Sequence, residues 1–293
     1  MDDILLNMIK DDLSTEEICQ TLNIDKRQLK QKIEQLKISG FNIENKMYFD
    51  GTDKYALCHT INPTVDLKLY AKSKEEYFKA LVIGDTHIGH KKENIDYIYT
   101  MYDYCLAKDI NLKYIIHLGD ILEGTADSKI PLREQLEYFI EQYPYENNIK
   151  NILLFGNHEE PFVTEEAIDL KSYIEDKRED MLCLGFGQRN IELDNKYGHI
   201  FMMHQGNIIS NSPGIRLFAH SHRFKYVVKQ NYPIITVPTL SDKQHTTDLP
   251  GAVEIEITRQ NDSQNVLLTN HLVIPEKQKV KNISRIQQTL KRI

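Results

Sequence analysis

Ala80-Leu81-Val82-Ile83-Gly84-Asp85-Thr86-His87 decides the fold. Four apolar residues stop at a glycine, and two metal-capable side chains follow it, two positions apart. The same pattern recurs twice. Tyr114-Ile115-Ile116-His117-Leu118 is closed by Gly119-Asp120, and Ile152-Leu153-Leu154-Phe155 is closed by Gly156-Asn157-His158. Short apolar runs of this kind read as strands buried on both faces. Helical patterns separate them, around residues 93–107 and 132–142. Strands alternating with helices predict an α/β layer. Polar groups at the carboxyl ends of such strands are where ligands sit. Past residue 180 the pattern turns mostly to strands, at 189–194, 199–203, 214–219, 224–229, 233–237, 251–258 and 265–274.

Upstream of this core, residues 1–50 read as short helices and a hairpin. Ile4, Leu5, Met8 and Ile9 have helical spacing. Ser14-Thr15-Glu16-Glu17 has the form of a capping box, and Asp25 caps a further helix with Leu29, Ile33 and Leu36 on one face, ending at Gly40. Phe41 to Phe49 alternates around Asn45-Lys46, which predicts a two-strand wing. Helix, turn, helix and wing outline a winged helix-turn-helix-like domain. Residues 51–77 have no strong period and read as a linker with local structure. The catalytic domain is expected over 78–274. The tail, 275–293, carries six basic residues against Glu276, and Ile283, Ile286, Leu290 and Ile293 predict a helix there.

Composition bounds the function. The 293 residues carry 36 Lys plus Arg and 43 Asp plus Glu, a net charge of −7. A protein coated all over with positive charge to bind polyanions is excluded, while a local basic patch is not. Cys19, Cys58, Cys105 and Cys183 are widely spaced, without C-x-x-C, which disfavours a disulfide framework and a zinc knuckle. No apolar run is long enough to span a membrane, and the acidic start Met1-Asp2-Asp3 is unlike a signal peptide. The expected location is cytoplasmic.

The chemistry lies in an ordered set of side chains. Asp85 and His87 leave one side of an extended segment. Asp120, Asn157 and His158 close the next two strands. His204 ends a later strand, and His220-Ser221-His222 repeats the spacing of two. Hard oxygens mixed with imidazoles suit Mn²⁺, Fe or Zn²⁺ and disfavour a Ca²⁺ cage. The set is too large for one ion and suits two that share a carboxylate.

Gly84-Asp85-Thr86-His87, Gly119-Asp120, Gly156-Asn157-His158-Glu159, His204-Gln205-Gly206 and Ala219-His220-Ser221-His222 together resemble the calcineurin-like metallophosphoesterase superfamily, over residues 78–260. The resemblance implies a four-layer β-sandwich flanked by helices, with two divalent ions, Mn²⁺ foremost. It implies that Asp85, His87 and His222 hold the first ion, that Asn157, His204 and His220 hold the second, and that Asp120 bridges them. His158 then faces the substrate as general acid or transition-state stabiliser, and hydroxide shared by the ions attacks phosphorus. Gln205 before Gly206, and Ala219 before His220, depart from the family's usual residues. The helix-turn-helix outline combined with Gly84-Asp85-Thr86-His87-Ile88-Gly89-His90 also resembles phage and prophage phosphoesterases. Those are described as similar to DNA repair exonucleases and to the small subunit of archaeal DNA polymerase.

Other residues keep two readings. His90 contacts a phosphate or sits on the surface. His117 reads as a satisfied core residue, and Glu159 and Glu160 as solvated or supporting groups. Glu123-Gly124-Thr125 lines the cleft or merely follows Asp120. His59, His199, His245 and His271 suggest no role. Residues 1–55 net −3, so the basic helix of Lys26, Arg27, Lys30, Lys32 and Lys37 is a poor free-standing DNA binder. The expected function is a phosphodiesterase or nuclease acting on nucleic acid. A small-molecule phosphodiesterase, a non-catalytic subunit of a replication or repair complex, and a transcription regulator are the alternatives. Expected partners are nucleic acid, with a second copy or a repair protein also considered, and no membrane.

Overall fold

The computed structural model describes residues 2–58, 65–73, 77–107, 110–210, 212, 214–229, 232–243, 249–259, 266–276 and 279–290. His59, His245, Lys277, Lys291, Arg292 and Ile293 lie outside the described residues.

Three helices open the chain: α1 (Asp2–Lys10), α2 (Thr15–Leu22) and α3 (Lys26–Ile38). Ser14 with Glu17, and Asp25 with Gln28, form capping boxes that satisfy the first N–H groups of α2 and α3. The strands β1 (Ile43–Tyr48), β2 (Asp53–Leu57) and β3 (Leu67–Tyr70) follow. The α/β run comprises β4 (Phe78–Ile83), α4 (Ile95–Leu106), β5 (Tyr114–His117), α5 (Leu132–Gln142), β6 (Lys150–Phe155), α6 (Glu160–Thr164), α7 (Leu170–Lys177) and β7 (Met181–Phe186). Then come β8 (Arg189–Leu193), α8 (Asp194–Tyr197), β9 (Gly198–Met203), β10 (Gly214–Phe218), β11 (Lys225–Lys229) and β12 (Tyr232–Thr236). The chain closes with β13 (Ala252–Arg259), β14 (Val266–Glu276) and β15 (Lys279–Leu290).

These strands form two sheets. One has the order β15-β14-β13-β4-β5-β6-β7, the other β11-β12-β10-β9-β8-β3-β1-β2. In the first, β4 to β7 run parallel and β13 to β15 add antiparallel strands beside β4. The continuous apolar run of β4 is explained by its two faces. Phe78, Ala80 and Val82 enter the core between the sheets, against Leu69, Ile191, Ile200, Leu217 and Ile235. Leu81 and Ile83 enter a second core under α4, α5 and α7, with Ile98, Met101, Phe139 and Ile174. The fold is therefore mixed α/β, two face-to-face sheets with helices on the outer face of the seven-stranded one.

Three expected segments are corrected. The Asn45-Lys46 turn does not exist: β1 runs through it, and the hairpin turns at Gly51 (φ +82°) to pair β1 with β2. The described residues of the 51–77 segment are not a linker, because β2 and β3 lie in the eight-stranded sheet and Leu69 is fully buried in the sandwich. The described part of the tail is strand, not helix. Its backbone pairs with β14 from Lys279 to Leu290, where an open sheet edge offers ladder hydrogen bonds to a segment rich in β-branched residues.

The N-terminal helices have their own core, with Leu5, Ile9, Ile18, Leu29, Ile33 and Leu36 packed against Ile43 and Tyr55 of the hairpin. Lys30 Nζ also reaches Glu175 Oε2 of α7 at 2.9 Å.

Candidate metal centre

The sequence-predicted side chains converge where parallel strands of both sheets end. Asp85 and His87 follow β4, Asp120 follows β5, and Asn157 and His158 form a 3-10 turn after β6. From the other sheet come His204 after β9 and His220 and His222 after β10. Two groups have ligand atoms within 4.8 Å of one another: Asp85, His87 and His222, and Asp120, His204 and His220. Asp120 Oδ2 lies between them, 3.0 Å from His204 Nε2 and 4.0 Å from His87 Nε2.

The backbone is bent to achieve this. Asp85, His87, Asp120, His220 and His222 all have positive φ, between 47° and 65°. Such conformations cost free energy and persist where surrounding contacts hold them, as at functional sites. Glu159 is one holder. Its buried carboxylate accepts N–H bonds from Asp120 (3.0 Å), Leu122 (2.8 Å) and Gly156 (2.7 Å), tying the second and third loops together. Gly156 is required by space, since a Cβ there would lie 2.3 Å from Asp120 Oδ1. At Gly84 a Cβ would meet that of Ala219 at 2.9 Å, so the glycine of the first motif makes room for the alanine that departs from the family pattern.

The donor chemistry fits metal. His87 Nδ1 faces Glu123 Oε2 at 3.1 Å, and His222 Nδ1 faces the carbonyl of Lys243 at 2.7 Å. These acceptors take the ring protons, so both Nε2 atoms present lone pairs, and they face each other at 3.2 Å. His204 Nδ1 likewise donates to the carbonyl of Leu118 at 2.9 Å, leaving Nε2 beside Asp120 Oδ2 and 3.2 Å from His220 Nδ1. The side-chain oxygen of Asn157 is buried without a hydrogen-bond partner among the described residues. Acceptors aimed at acceptors are unfavourable unless a cation sits among them.

The protein groups alone settle into shifted protonation. Burial pushes the Asp85 carboxyl up to about 8, and burial with the Asp120 charge lifts Glu159 to about 7. Burial opposes charge on His204, but the bond to Asp120 and the Asp120 and Asp85 charges lift it to about 9. Burial lowers His87 to about 4. Burial disfavours the Asp120 carboxylate, yet His204, His87 and His158 together hold it below its usual range.

His158 is placed differently from the ligands. Its backbone N–H donates to Asp120 Oδ1 at 3.0 Å, and its Nδ1 donates to the Glu123 carbonyl. Nε2, 3.9 Å from Asp120 Oδ2, is left facing the cluster. His117 is a satisfied core residue, bonded to Thr86 Oγ1 at 3.0 Å. His90 is buried rather than on the surface. Glu123 and Glu159 are buried organisers, and Glu160 is exposed. Lys243 carries no motif signal. Only the folded loop after β12 brings its Nζ to Glu123 at 2.8 and 3.1 Å.

Residues 78–271 match the family model for calcineurin-like phosphoesterases. The chain belongs to this family. It is a family of metal-dependent phosphoric ester hydrolases, and the chain has side-chain groups that could hold a metal ion. A curated relative, the DNA double-strand break repair protein Mre11 of Methanocaldococcus jannaschii, is 32% identical over 85 residues. That match covers 27% of this chain and 23% of the relative's length. Among solved structures, an archaeal phosphodiesterase aligns over 70% of this chain and 99% of its own, with TM-score 0.43 and 16% identity. Vps29 from Entamoeba histolytica, complexed with Zn²⁺, aligns over 72% and 99%, with TM-score 0.40 and 13% identity. No helix among the described residues is long and apolar enough to cross a membrane.

Proposed function

We propose that this member of the family is a two-metal phosphodiesterase whose substrate is nucleic acid. The observation that carries the reading is the pair of ligand groups with Asp120 between them and imidazole lone pairs facing inward. Asp85, His87 and His222 would hold one ion, and Asn157, His204 and His220 the other, with Asp120 shared. The mixed oxygen and imidazole set suits Mn²⁺. When bound, two such ions neutralise phosphoryl charge and make water acidic enough to attack. The chain's own residues supply the rest. Asp120 fixes the His158 backbone, and the Glu123 carbonyl fixes its ring. His158 Nε2 is thereby held toward the site as the proton donor for the leaving oxygen.

Support for a polymeric diester comes from the rim. Lys91 and Lys92 follow the first ligand loop, and Arg223 and Lys225 follow the last. All four are exposed and without an ion pair among the described residues. Exposed cations next to the ligand loops suit a phosphate backbone. Only 16 positions separate His204 from His220, too few for a large cap over the site. The DNA-related name of the Mre11 relative agrees with this substrate class. The test is hydrolysis of bis-p-nitrophenyl phosphate, its monoester, and labelled single- and double-stranded DNA and RNA, with Mn²⁺ and with chelator. Diester and nucleic-acid cleavage that needs Mn²⁺ is expected. Cleavage of the monoester alone would refute the substrate class, and activity unaffected by chelator would refute the metal.

A further inference from the structure

The eight-stranded sheet presents an outer face that the metal centre does not use. Met47 of β1 and Leu69 of β3 point into the core between the sheets. Side chains alternate along a strand, so Lys46 and Tyr48, with Lys68 and Tyr70, leave from the other face. All four are half-buried. Tyr48 stands beside Tyr70, with ring centroids 6.0 Å apart, and Lys54 of β2 stands directly across from Lys46. Each ring is accompanied by two ammonium groups. Lys46 and Lys68 lie 5.5 and 5.3 Å from the centroid of Tyr70, and Lys54 and Lys72 lie 5.5 and 5.2 Å from that of Tyr48. Farther across the same face, the Arg216 guanidinium covers the Tyr232 ring at 4.1 Å.

Like charges side by side on one face of a sheet repel and cost stability. Carboxylates offset part of that cost here. Asp12 reaches Lys54 at 2.6 Å, Glu192 reaches Lys68 at 2.9 Å and Asp50 reaches Lys72 at 2.7 Å. Glu44 is taken by the Tyr70 hydroxyl at 2.7 Å, and Lys46 has no carboxylate partner among the described residues. Such a patch stands out in a chain of net charge −7. We infer that the outer face of β1, β2 and β3 is a stacking platform for single-stranded nucleic acid, with Tyr48 and Tyr70 taking bases and Lys46, Lys54, Lys68 and Lys72 taking phosphates. The chemistry selects this ligand. Aromatic rings standing on a sheet accept unpaired bases of any sequence, whereas bases within a duplex are already stacked on their neighbours. The ammonium groups sit on flexible stems, and exposed ion pairs of this kind are weak enough to exchange a carboxylate for a phosphate.

The inference rests on the nucleic-acid reading for its ligand, and the experiment separates the two. Full-length protein in chelator is titrated into labelled oligo(dT) and into a labelled duplex, with fluorescence anisotropy read at several salt concentrations. The variants are Tyr48→Leu/Tyr70→Leu, Tyr48→Phe/Tyr70→Phe and Lys46→Gln/Lys54→Gln/Lys72→Gln, with circular dichroism melts as the folding control. The leucine pair should weaken binding of the single strand by about tenfold or more, and the phenylalanine pair, which keeps both rings, should bind within about twofold of the unaltered chain. The glutamine triple should lower the log–log salt slope by about 2, at about 0.7 per phosphate contact. kcat on bis-p-nitrophenyl phosphate with Mn²⁺ should be unchanged in all three, since none of these side chains touches the metal centre. A folded leucine pair that binds oligo(dT) as the unaltered chain does would overturn the platform, and so would a loss confined to the duplex. If the leucine pair does not fold, its two single variants take its place with the same criteria. Unaltered protein that neither binds nor cuts any oligonucleotide would overturn the nucleic-acid reading, and this inference with it. Unaltered protein that binds and cuts, with variants that bind equally well, would overturn this inference alone. Lysine-dependent sedimentation with phosphatidylserine vesicles, without any effect on oligonucleotides, would assign the face to a lipid surface instead.

Discussion

His158→Gln tests the proton donor. The substitution leaves the backbone N–H of residue 158 on Asp120, so the shared carboxylate keeps its support and both ions should remain. What disappears is Nε2, the only ring nitrogen not engaged by Glu123. General acid assistance is worth about 10² to 10⁴ in rate, or about 3 to 5 kcal/mol at 1.36 kcal/mol per decade. The loss should depend on what leaves. A nucleoside alkoxide needs a proton, so turnover of an oligonucleotide should fall by the full amount. p-Nitrophenolate leaves unassisted, so bis-p-nitrophenyl phosphate should lose about tenfold or less. The assay compares kcat on both substrates under saturating Mn²⁺, with metal content measured on the same preparations. An equal loss on both substrates would refute the donor role. Loss of an ion would move His158 into the ligand set.

Glu159→Ala removes the acceptor of three buried N–H groups, and unsatisfied donors of this kind should lower unfolding free energy by about 3 kcal/mol in denaturant titration, with Glu159→Gln retaining part of it. Chelator-treated protein should lose thermal stability as pH rises from about 6.5 to 9. Asp85 near 8, Glu159 near 7 and His204 near 9 all hold protons in the folded chain that the unfolded chain has released, so raising the pH favours unfolding. Mn²⁺ should flatten that slope, and a slope unchanged by Mn²⁺ in calorimetry would speak against ligation at Asp85 and His204. Changing Lys91, Lys92, Arg223 and Lys225 to Ala together should weaken oligonucleotide binding and reduce the log–log salt slope by up to about 3.6, while kcat on the small diester stays within about twofold.

The central strands were legible because their cause is local. An apolar run with one glycine stop, as at Ile83-Gly84 or Phe155-Gly156, reports burial on both faces without knowledge of the partner. The helix starts at Ser14 and Asp25 were legible for the same reason, since a capping box closes within four residues. The candidate ligand residues are readable through their order along the chain, and the fold brings Asp85, His87 and His222, and Asp120, His204 and His220, together. What could not be read depends on distant pairing. The tail's Ile283, Ile286 and Leu290 satisfy a helical spacing, but β14 supplies a ladder that no window of sequence displays. β3 was hidden because its four residues matter only beside β1 and β8. Glu159 looked like an ordinary charged neighbour of His158, and its role exists only once three strand ends meet. Lys243 lies more than 150 positions from His87, and nothing in its immediate sequence marks it.

The β1–β2 hairpin belongs to two cores at once. Ile43 and Tyr55 are packed among the N-terminal helices, while Met47 and Phe49 are packed inside the sandwich. In mechanical terms it is a weld where the sequence reads as a linker. The helices cannot swing on a tether, because turning them would shear a strand that pairs with β3 and sits over β4. A load applied to α3, by a bound strand of nucleic acid for instance, passes through Phe49 to Phe78, whose rings lie 5.4 Å apart, and so to the strand that leads into Asp85. A cut at residue 50 would therefore expose one edge of the catalytic sheet, and the point at which the helices can be separated from it lies before Ile43.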